Sequence, residues 1–226
     1  AGDTDGDGYD DVLVGTYYNK GSSSHEGKAY LVLGPVTADL DLGSDADAYF
    51  SGETSGDFAG HAVAGNGDVN NDGYSDIVIG AYGESSYAGA TYVVQGPVTG
   101  SINLSAADAK LLGESSSDFA GFSVAVNGDA NADGYSDILV GGYGVDIGST
   151  GGGAYFVLGP VSGNVDLSSA DLKFTGEASH DTVGHSVRFA GDTDGDTLDD
   201  ILISAPNEDY GGSEAGAAYL ILGANL

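Results

Sequence analysis

The sequence has no cysteine, methionine or tryptophan, and only five of its 226 residues are lysine or arginine. Without cysteine, the chain has neither a disulfide framework nor thiol chemistry. Without methionine, it has no initiator residue, so we expect it to be a processed or excised piece. Its apolar runs are far shorter than the roughly 18 residues that a membrane-spanning helix needs, so the sequence predicts no membrane insertion.

Acidic residues dominate the charge of the chain. Thirty-five Asp and Glu residues outweigh the basic ones and give a formal net charge of −30. Such a surface repels nucleic acid and anionic lipids, which excludes both as predicted partners. An apolar content of 41% is nevertheless that of a globular protein with a core.

One acidic nine-residue pattern recurs four times and starts at Asp3, Asp68, Asp129 and Asp192. Each copy has Asp or Asn at positions one, three and five and Asp at position nine, while position seven offers a backbone carbonyl. Hard cations prefer such oxygen ligands, and calcium accepts about six to eight of them. The sequence therefore predicts about four Ca²⁺ ions, with these ligands: Asp3, Asp5, Asp7, Tyr9 and Asp11; Asp68, Asn70, Asp72, Tyr74 and Asp76; Asp129, Asn131, Asp133, Tyr135 and Asp137; Asp192, Asp194, Asp196, Leu198 and Asp200.

An acidic, glycine-rich cluster is also typical of a solvated turn. Four copies in register, each directly before an apolar run, favour metal binding over that interpretation. Gly at position six suits the sharp turn of the first three loops, whereas the fourth loop has Thr197 there. An EF-hand is excluded, because position twelve is an apolar strand residue such as Ile79 rather than a bidentate Glu.

The apolar pattern around the loops predicts strands. A buried strand follows each loop, a third strand ends before a Gly-Pro-Val stop in the first three repeats, and a weaker fourth strand ends at Gly-Glu. A strand also precedes each of the last three loops, over 58–64, 119–125 and 183–189. The loop starts lie 65, 61 and 63 residues apart (3 to 68, 68 to 129 and 129 to 192). Four short antiparallel strands in a period near sixty are typical of a propeller blade.

Short motifs flank the loops: Phe58-Ala59-Gly60 and Phe119-Ala120-Gly121 before them, Gly80-Ala81-Tyr82 and Ser204-Ala205-Pro206 after them. Together with the loops, they resemble the FG-GAP repeats of the integrin α-subunit N-terminal β-propeller and its bacterial relatives. The resemblance implies that each loop joins the first and second strands of a blade and binds calcium on one face of the ring. The departures are Val183-Gly184 in place of Phe-Gly, Tyr17, Tyr82 and Tyr143 in place of Pro, and four repeats instead of the usual seven.

The predicted fold class is thus all-β, an FG-GAP/integrin-α type β-propeller of about four four-stranded antiparallel blades, the first and last incomplete. A single domain over 1–226 contains repeats at approximately 1–57, 58–118, 119–181 and 182–226, with 14 strands distributed as three, four, four and three. A four-bladed ring, half of a ring completed by a second copy, and a head-to-tail filament all stay open. Unpaired sheet edges at both ends favour a homo-oligomer or filament.

The predicted function is that of a calcium-binding structural or adhesive module, secreted or on the cell surface, in which calcium makes the blade loops rigid. Self-assembly and a protein or glycan ligand are the expected interactions. A lectin-like propeller is the alternative, because tyrosines recur after the second strand, although blade-to-blade packing is the favoured role of these rings. The tyrosines concerned are Tyr82, Tyr87, Tyr143 and Tyr210.

No enzyme and no catalytic residue are predicted, because the chain has no Gly-x-Ser-x-Gly elbow. His61 and His185 stand where the third repeat has Phe122, which favours packed positions, while His25 and His180 lie in polar segments and are interpreted as solvated. The acidic residues Asp39, Asp41, Asp45, Asp47, Glu53, Glu84 and Glu114 are interpreted as solvated surface. A polysaccharide-active enzyme that uses a carboxylate pair is therefore the least favoured alternative.

Overall fold

The structure is a computed structural model that describes residues 1–18, 25–145, 151–209, 211–213 and 215–226. These residues contain 16 strands: β1 Val12–Thr16, β2 Lys28–Val32, β3 Ala48–Ser51, β4 Ala62–Gly67, β5 Asp76–Ala81, β6 Ala90–Val94, β7 Ile102–Asn103, β8 Ala109–Leu112, β9 Ser123–Gly128, β10 Asp137–Gly142, β11 Gly153–Val157, β12 Gly163–Asp166, β13 Leu172–Thr175, β14 Val187–Gly191, β15 Asp200–Ala205 and β16 Ala217–Ile221. In the same described residues, helical structure is limited to single turns: α1 Leu42–Asp45, α2 Glu84–Tyr87 and the 3₁₀ turns Leu104–Ala106, Leu167–Ser169 and Gly223–Asn225. Within the described part of the chain, no helix has the length and apolar character needed to cross a bilayer.

The strands form four sheets, which we call blades 1 to 4. Blade 1 has the order β1-β2-β3-β7, blade 2 has β4-β5-β6-β8-β12, blade 3 has β9-β10-β11-β13, and blade 4 has β14-β15-β16. The predicted all-β propeller class is confirmed, with incomplete first and last blades. In blade 1, the place of the first strand holds only the antiparallel bridge between Gly2 and Asp11.

The fourteen predicted strands are all present, and two short strands were not predicted. These are β7 and β12, each of which pairs in parallel with the fourth strand of the preceding blade, β3 and β8 respectively. Each therefore links the sheet of one blade to the connection between the third and fourth strands of the next blade. Neither segment has the alternating apolar pattern of a strand. Each is extended because it pairs with the edge of the neighbouring blade.

The predicted first strands were wrong at their N-terminal ends. They begin at Ala62, Ser123 and Val187, four residues later than the pattern predicted. The reason is local backbone geometry, because Phe58 and Gly60 have φ values of 56° and 81°, which no strand can contain. The Phe-Ala-Gly element is thus a turn that leads into the strand.

The core lies between blades rather than within them. On β5, Ile77 and Ile79 pack against blade 1, and the alternate residue Val78 packs against blade 3. All three are fully buried. Both faces of an inner blade are therefore covered, which explains why β5 and β10 are continuous apolar runs instead of alternating ones.

Candidate metal centre

Each acidic loop lies at the same end of its blade. In blades 2, 3 and 4 it connects the first strand to the second, and in blade 1 it directly precedes β1. Neighbouring loops are hydrogen-bonded to one another: Ser75 donates its N–H to the carbonyl of Asp3 at 2.9 Å, and Ser136 does the same to Asp68 at 2.8 Å. The four loops therefore form one continuous rim along the blades.

The second loop shows how the acidic side chains are held. The carboxylate of Asp68 accepts the backbone N–H groups of Asp72 at 3.0 Å and Gly73 at 2.8 Å. The Asn70 side-chain oxygen also accepts the Asp72 N–H, at 3.1 Å. The Asp72 carboxylate accepts the N–H of Tyr74 at 2.9 Å, which fixes the peptide at position seven. The side chains at positions one, three and five are therefore each held by backbone N–H groups of the same loop.

The aspartate at position nine closes the loop from inside the protein. Asp76 is fully buried, and its Oδ2 accepts the N–H of Val69 at 2.7 Å, which belongs to position two of the same loop. Its Oδ1 accepts the N–H of Gly96 at 2.8 Å, directly after the third strand of the blade. One carboxylate thus ties the loop, the second strand and the end of the third strand together.

The same contacts recur in the other three loops. Asp11, Asp137 and Asp200 are buried and accept from position two and from Gly34, Gly159 and Gly223 respectively. The fourth loop keeps this geometry although Thr197 replaces glycine, because Thr197 adopts a φ of 77° and still donates its N–H to Asp192 at 3.0 Å. At position two, sequence reasoning missed the threonines of loops 1 and 4, Thr4 and Thr193, whose hydroxyls also donate to the position-nine carboxylate.

Carboxylates converge most closely in the first and last loops. Oxygens of Asp3, Asp5 and Asp11 lie within 4.8 Å of one another, and the same holds for Asp192, Asp194 and Asp196. In the two inner loops, position three is an asparagine, so one of the converging oxygens is a neutral amide. All four sets consist of hard oxygen donors, which is the donor chemistry that calcium takes up.

The loops also concentrate negative charge. Burial, together with repulsion from Asp72 and Asp68, raises the pKa of Asp76 to about 6 in spite of two N–H donors. Burial and two neighbouring aspartates likewise raise the pKa of Asp137 to about 6. Such carboxylates sit in an unfavourable field that a bound divalent cation would neutralise. The residues present therefore fit a calcium ion.

A row of aromatic side chains lies at the end of the blades opposite the acidic loops. Phe58 and Tyr82 stack at 5.1 Å within blade 2, and Phe119 and Tyr143 stack at 4.7 Å within blade 3. Tyr82 also contacts Phe122 of the next blade at 5.7 Å, which supports the packing role of this ring. Tyr87 is 43% exposed and Tyr18 is 57% exposed. Tyr210, grouped with these tyrosines from the sequence, lies outside the described residues.

The histidines that are buried and those that are exposed are not all the ones that the sequence predicted. His61 is half-buried among Tyr17, Tyr82 and Phe122, and its Nδ1 lies 3.1 Å from the Phe122 carbonyl oxygen. His185 is exposed, although its ring is 5.2 Å from that of Phe122. His25, interpreted as solvated, contacts Tyr18 at 4.4 Å and is only partly exposed.

The interpretation of Glu53, Glu84 and Glu114 as solvated surface was wrong. Glu53 and Glu84 each form an ion pair with Lys110, at 2.7 and 3.0 Å, and Glu114 pairs with Lys173 at 2.6 Å. The pairs from Glu53 and Glu114 cross from one blade to the next. A lysine stands just before two of the Gly-Glu motifs, but the sequence does not show that Lys110 pairs with glutamates 57 and 26 residues away.

Comparison with known proteins identifies FG-GAP repeats at residues 1–32, 60–94 and 183–221. Integrin alpha-PS5 of Drosophila melanogaster is 31% identical over 204 residues, which cover 85% of this chain and 18% of the relative. Integrin alpha pat-2 of Caenorhabditis elegans is 32% identical over 154 residues, 62% of this chain and 12% of the relative. Integrin alpha-IIb of Mus musculus is 33% identical over 150 residues, 63% of this chain and 14% of the relative. The chain thus spans less than a fifth of the length of these relatives. It carries FG-GAP repeats on a β-propeller fold and is related to the integrin α-subunits.

Proposed function

We propose that this chain is a calcium-binding, adhesive or structural β-propeller module that works outside the cell. Each of the four acidic loops would hold one Ca²⁺ through the carboxylate and amide oxygens at positions one, three, five and nine and the backbone carbonyl at position seven. The ion would act as a cross-link rather than a catalyst, since the oxygens of the loop itself would fill its coordination shell.

The observation that carries this proposal is the repetition of one loop geometry at one end of every blade. The position-nine carboxylates Asp11, Asp76, Asp137 and Asp200 tie each loop to two strands. The loops are in turn hydrogen-bonded to their neighbours along the rim. Filling one loop with a cation would therefore stiffen the junction between blades as well as its own blade.

The adhesive role and the extracellular location rest on the relation to integrin α-subunits and on the metal. Calcium sites of extracellular modules typically have Kd values of about 10⁻⁴ to 10⁻³ M, and loops of that affinity would be filled outside the cell and not in the cytosol. The net charge of −30 would also keep such a module soluble and away from anionic surfaces. A protein surface is accordingly the expected partner.

Self-assembly is the second part of the proposal. The outer faces of blades 1 and 4 expose apolar side chains, with Val12 at 45%, Leu202 at 40% and Leu220 at 51%. The equivalent positions of inner blades are covered by a neighbouring blade. Two such faces from different copies would cover each other in the manner of adjacent blades.

The test of calcium binding is a titration of protein freed of metal with EDTA. Calorimetry should detect about four calcium equivalents, and calcium at about a hundredfold excess over Kd should stabilise the native state by about 2.7 kcal/mol per site. Magnesium should have a smaller effect, because it demands an octahedral shell and keeps its waters. An absence of both heat and thermal stabilisation would refute the proposal.

Matched variants separate a metal ligand from an ordinary turn residue. Asp72→Ala and Asp133→Ala should lower the melting temperature in calcium, whereas Asp39→Ala, which removes an exposed carboxylate outside the loops, should leave it unchanged. In EDTA the loop variants should lose most of this difference, since an empty loop gains from fewer repelling charges. Equal melting of all four proteins in calcium would contradict the assignment.

Carbohydrate binding is the alternative function, and the exposed rings of Tyr18 and Tyr87 favour it. Sugars stack on exposed aromatic faces, and these two rings flank the same aromatic row. A glycan array would test this, with Tyr87→Ala as the variant. Binding that is lost in this variant would favour the lectin-like function, and an empty array would favour a protein ligand.

A further inference from the structure

The residue at position eight is not among the predicted ligands, but in three of the acidic loops it contacts the neighbouring loop. In the third loop this residue is Ser136, whose Oγ accepts the N–H of Asp68 at 2.9 Å. Ser136 also donates its own N–H to the carbonyl of Asp68 at 2.8 Å. One residue of the third loop therefore holds both polar backbone groups of position one in the second loop.

The next junction makes the same contacts with a different side chain. Position eight of the fourth loop is Asp199, whose Oδ2 accepts the N–H of Asp129 at 2.8 Å. Asp199 donates its N–H to the Asp129 carbonyl at 3.3 Å. A hydroxyl and a carboxylate make the same contact, so this place requires a hydrogen-bond acceptor on a short side chain.

A glycine precedes position one and gives the neighbouring loop room to approach. A Cβ added to Gly67 would lie 3.1 Å from the Cβ of Ser136 and would collide with the Val126 carbonyl. A Cβ on Gly2 would likewise collide with the Oγ of Ser75, which is position eight of the second loop. Both glycines therefore mark places where consecutive loops are in close contact.

Position one is the ligand to which the rest of the loop is tied. Both oxygens of the Asp68 carboxylate accept N–H groups of the loop, from Asp72 and Gly73. Ser136 stands on a fixed support, because the next residue, Asp137, is fully buried and accepts N–H groups at 2.9 and 3.1 Å. A rigid part of blade 3 therefore sets the backbone of a ligand in blade 2. Groups that hold a metal ligand in place typically change metal affinity by about 10- to 100-fold.

We propose that the residue at position eight is a positioning residue for the calcium site of the preceding loop, so that a site in one blade is completed by the next blade. Ser136 supports the site of the second loop, and Asp199 supports that of the third. Each acts through the position-one aspartate that it holds. This role rests on the calcium binding proposed above, and it links neighbouring sites along the rim.

The test is a calcium titration that resolves the individual loops. The N–H groups of Gly73 and Gly134, at position six of the second and third loops, donate to the position-one carboxylate of their own loop at 2.8 and 2.9 Å. Their amide signals in NMR spectra of the isotope-labelled protein therefore report the filling of each loop separately. In Ser136→Ala, the midpoint of the Gly73 signal should move to about tenfold higher calcium, because the N–H of Asp68 loses its acceptor. The Gly134 midpoint should stay where it is, since all predicted ligands of the third loop remain.

Two further variants separate this role from a loss of folding. Ser136→Asp should keep the wild-type Gly73 midpoint or lower it, because Asp199 makes the same contact in the next junction. Ser55→Ala, which changes an exposed serine in the connection between β3 and β4, should leave both midpoints unchanged. Melting in EDTA, followed by circular dichroism, checks that all three variants are folded.

The two midpoints also show which proposal fails. If Ser136→Ala moves the Gly134 midpoint as far as that of Gly73, the serine serves its own loop, and if it moves neither, the contact has no effect on binding. Either result, or a Gly73 midpoint as weak in Ser136→Asp as in Ser136→Ala, would overturn the positioning role and leave calcium binding in place. A wild-type protein in which neither signal responds to calcium would refute the proposed function itself, and the positioning role with it.

Discussion

Inner and outer blades carry the same strand positions, but they differ in what covers them. Ile77 and Ile138, which face the preceding blade, are fully buried, whereas Val12 at the same position of blade 1 is 45% exposed. On the opposite face, Leu139 is fully buried and its equivalent in blade 4, Leu202, is 40% exposed. Burial at these positions is therefore provided by the neighbouring blade and not by the residue's own sheet.

This difference means that no blade is a self-sufficient unit. The three apolar clusters each join two successive blades, so stability comes from the junctions as much as from the sheets. Repeat proteins of this kind are described well by intrinsic terms plus nearest-neighbour terms. Substitutions at equivalent positions should thus have very different effects in inner and outer blades.

The largest difference is expected at the lysines. Lys110→Met should destabilise the protein by about 2 to 3 kcal/mol, because it leaves two partly buried glutamates without their cation. Lys28→Met in blade 1 should cost less than about 1 kcal/mol, since Lys28 lies over the Tyr49 ring at 4.5 Å. Urea unfolding of both variants measures the difference, and similar losses would mean that the junction between blades 1 and 2 adds little.

The next comparison uses one substitution at two equivalent sites. Val140→Ala, at a fully buried position against blade 2, should cost about 2 kcal/mol, because it removes two methyl groups from the core. Val14→Ala, at the same position of blade 1, should cost less than about 1 kcal/mol, since this side chain is only partly buried. Equal costs at high protein concentration, but not on dilution, would indicate that a second copy covers blade 1.

A third comparison concerns the exposed faces themselves. Leu220→Glu should change stability by less than about 0.5 kcal/mol, because Leu220 is 51% exposed and has no neighbouring blade. It should nevertheless abolish self-association, since a buried charge at a dimer face is costly. Light scattering in calcium measures the particle mass, and Asp39→Lys provides a charge-changing control elsewhere. A mass that stays the same in Leu220→Glu would exclude this face from any assembly.

Much of the fold could be predicted from the sequence because the repeats are explicit. Loop, apolar strand and Gly-Pro-Val stop recur in register, so 14 strands and the propeller class followed from pattern alone. The short strands β7 and β12 could not, because their pairing depends on the edge of a preceding blade. Phe58 and Phe119 were assigned to strands because their apolar character does not reveal a left-handed backbone.

The candidate site, like the fold, could be predicted from the sequence only in part. The acidic pattern was evident from its spacing, and the structure brings three of its carboxylates within 4.8 Å of one another in the first loop and three in the fourth. The predicted metal and its number stay predictions. The roles of Gly34 and Gly96 as backbone donors to Asp11 and Asp76 were hidden, because each lies more than 15 residues from its partner. The ion pairs of Glu53 and Glu84 were hidden for the same reason, since Lys110 lies 57 and 26 residues away from them.

The smallest expected effect on stability concerns His61, which is half-buried where blade 2 packs against blade 3. Burial lowers its pKa below the usual 6.5, His185 lowers it further, and the hydrogen bond to Phe122 opposes both. The unfolded chain therefore takes up the proton first as the pH falls, so this residue's contribution is present above about pH 6.5 and is lost as the pH falls through the folded pKa.

His61→Phe removes this titration and should fit, because Phe122 occupies the equivalent position in blade 3. Between pH 7.5 and pH 5.5, the wild type should lose more stability than the variant, while the carboxylates titrate alike in both and cancel in the comparison. Urea unfolding at the two pH values measures this. Blade 1 has no first strand and so no counterpart of His61, which means that the comparison probes an inner junction. An equal pH dependence in the two proteins would mean that this junction admits water at His61.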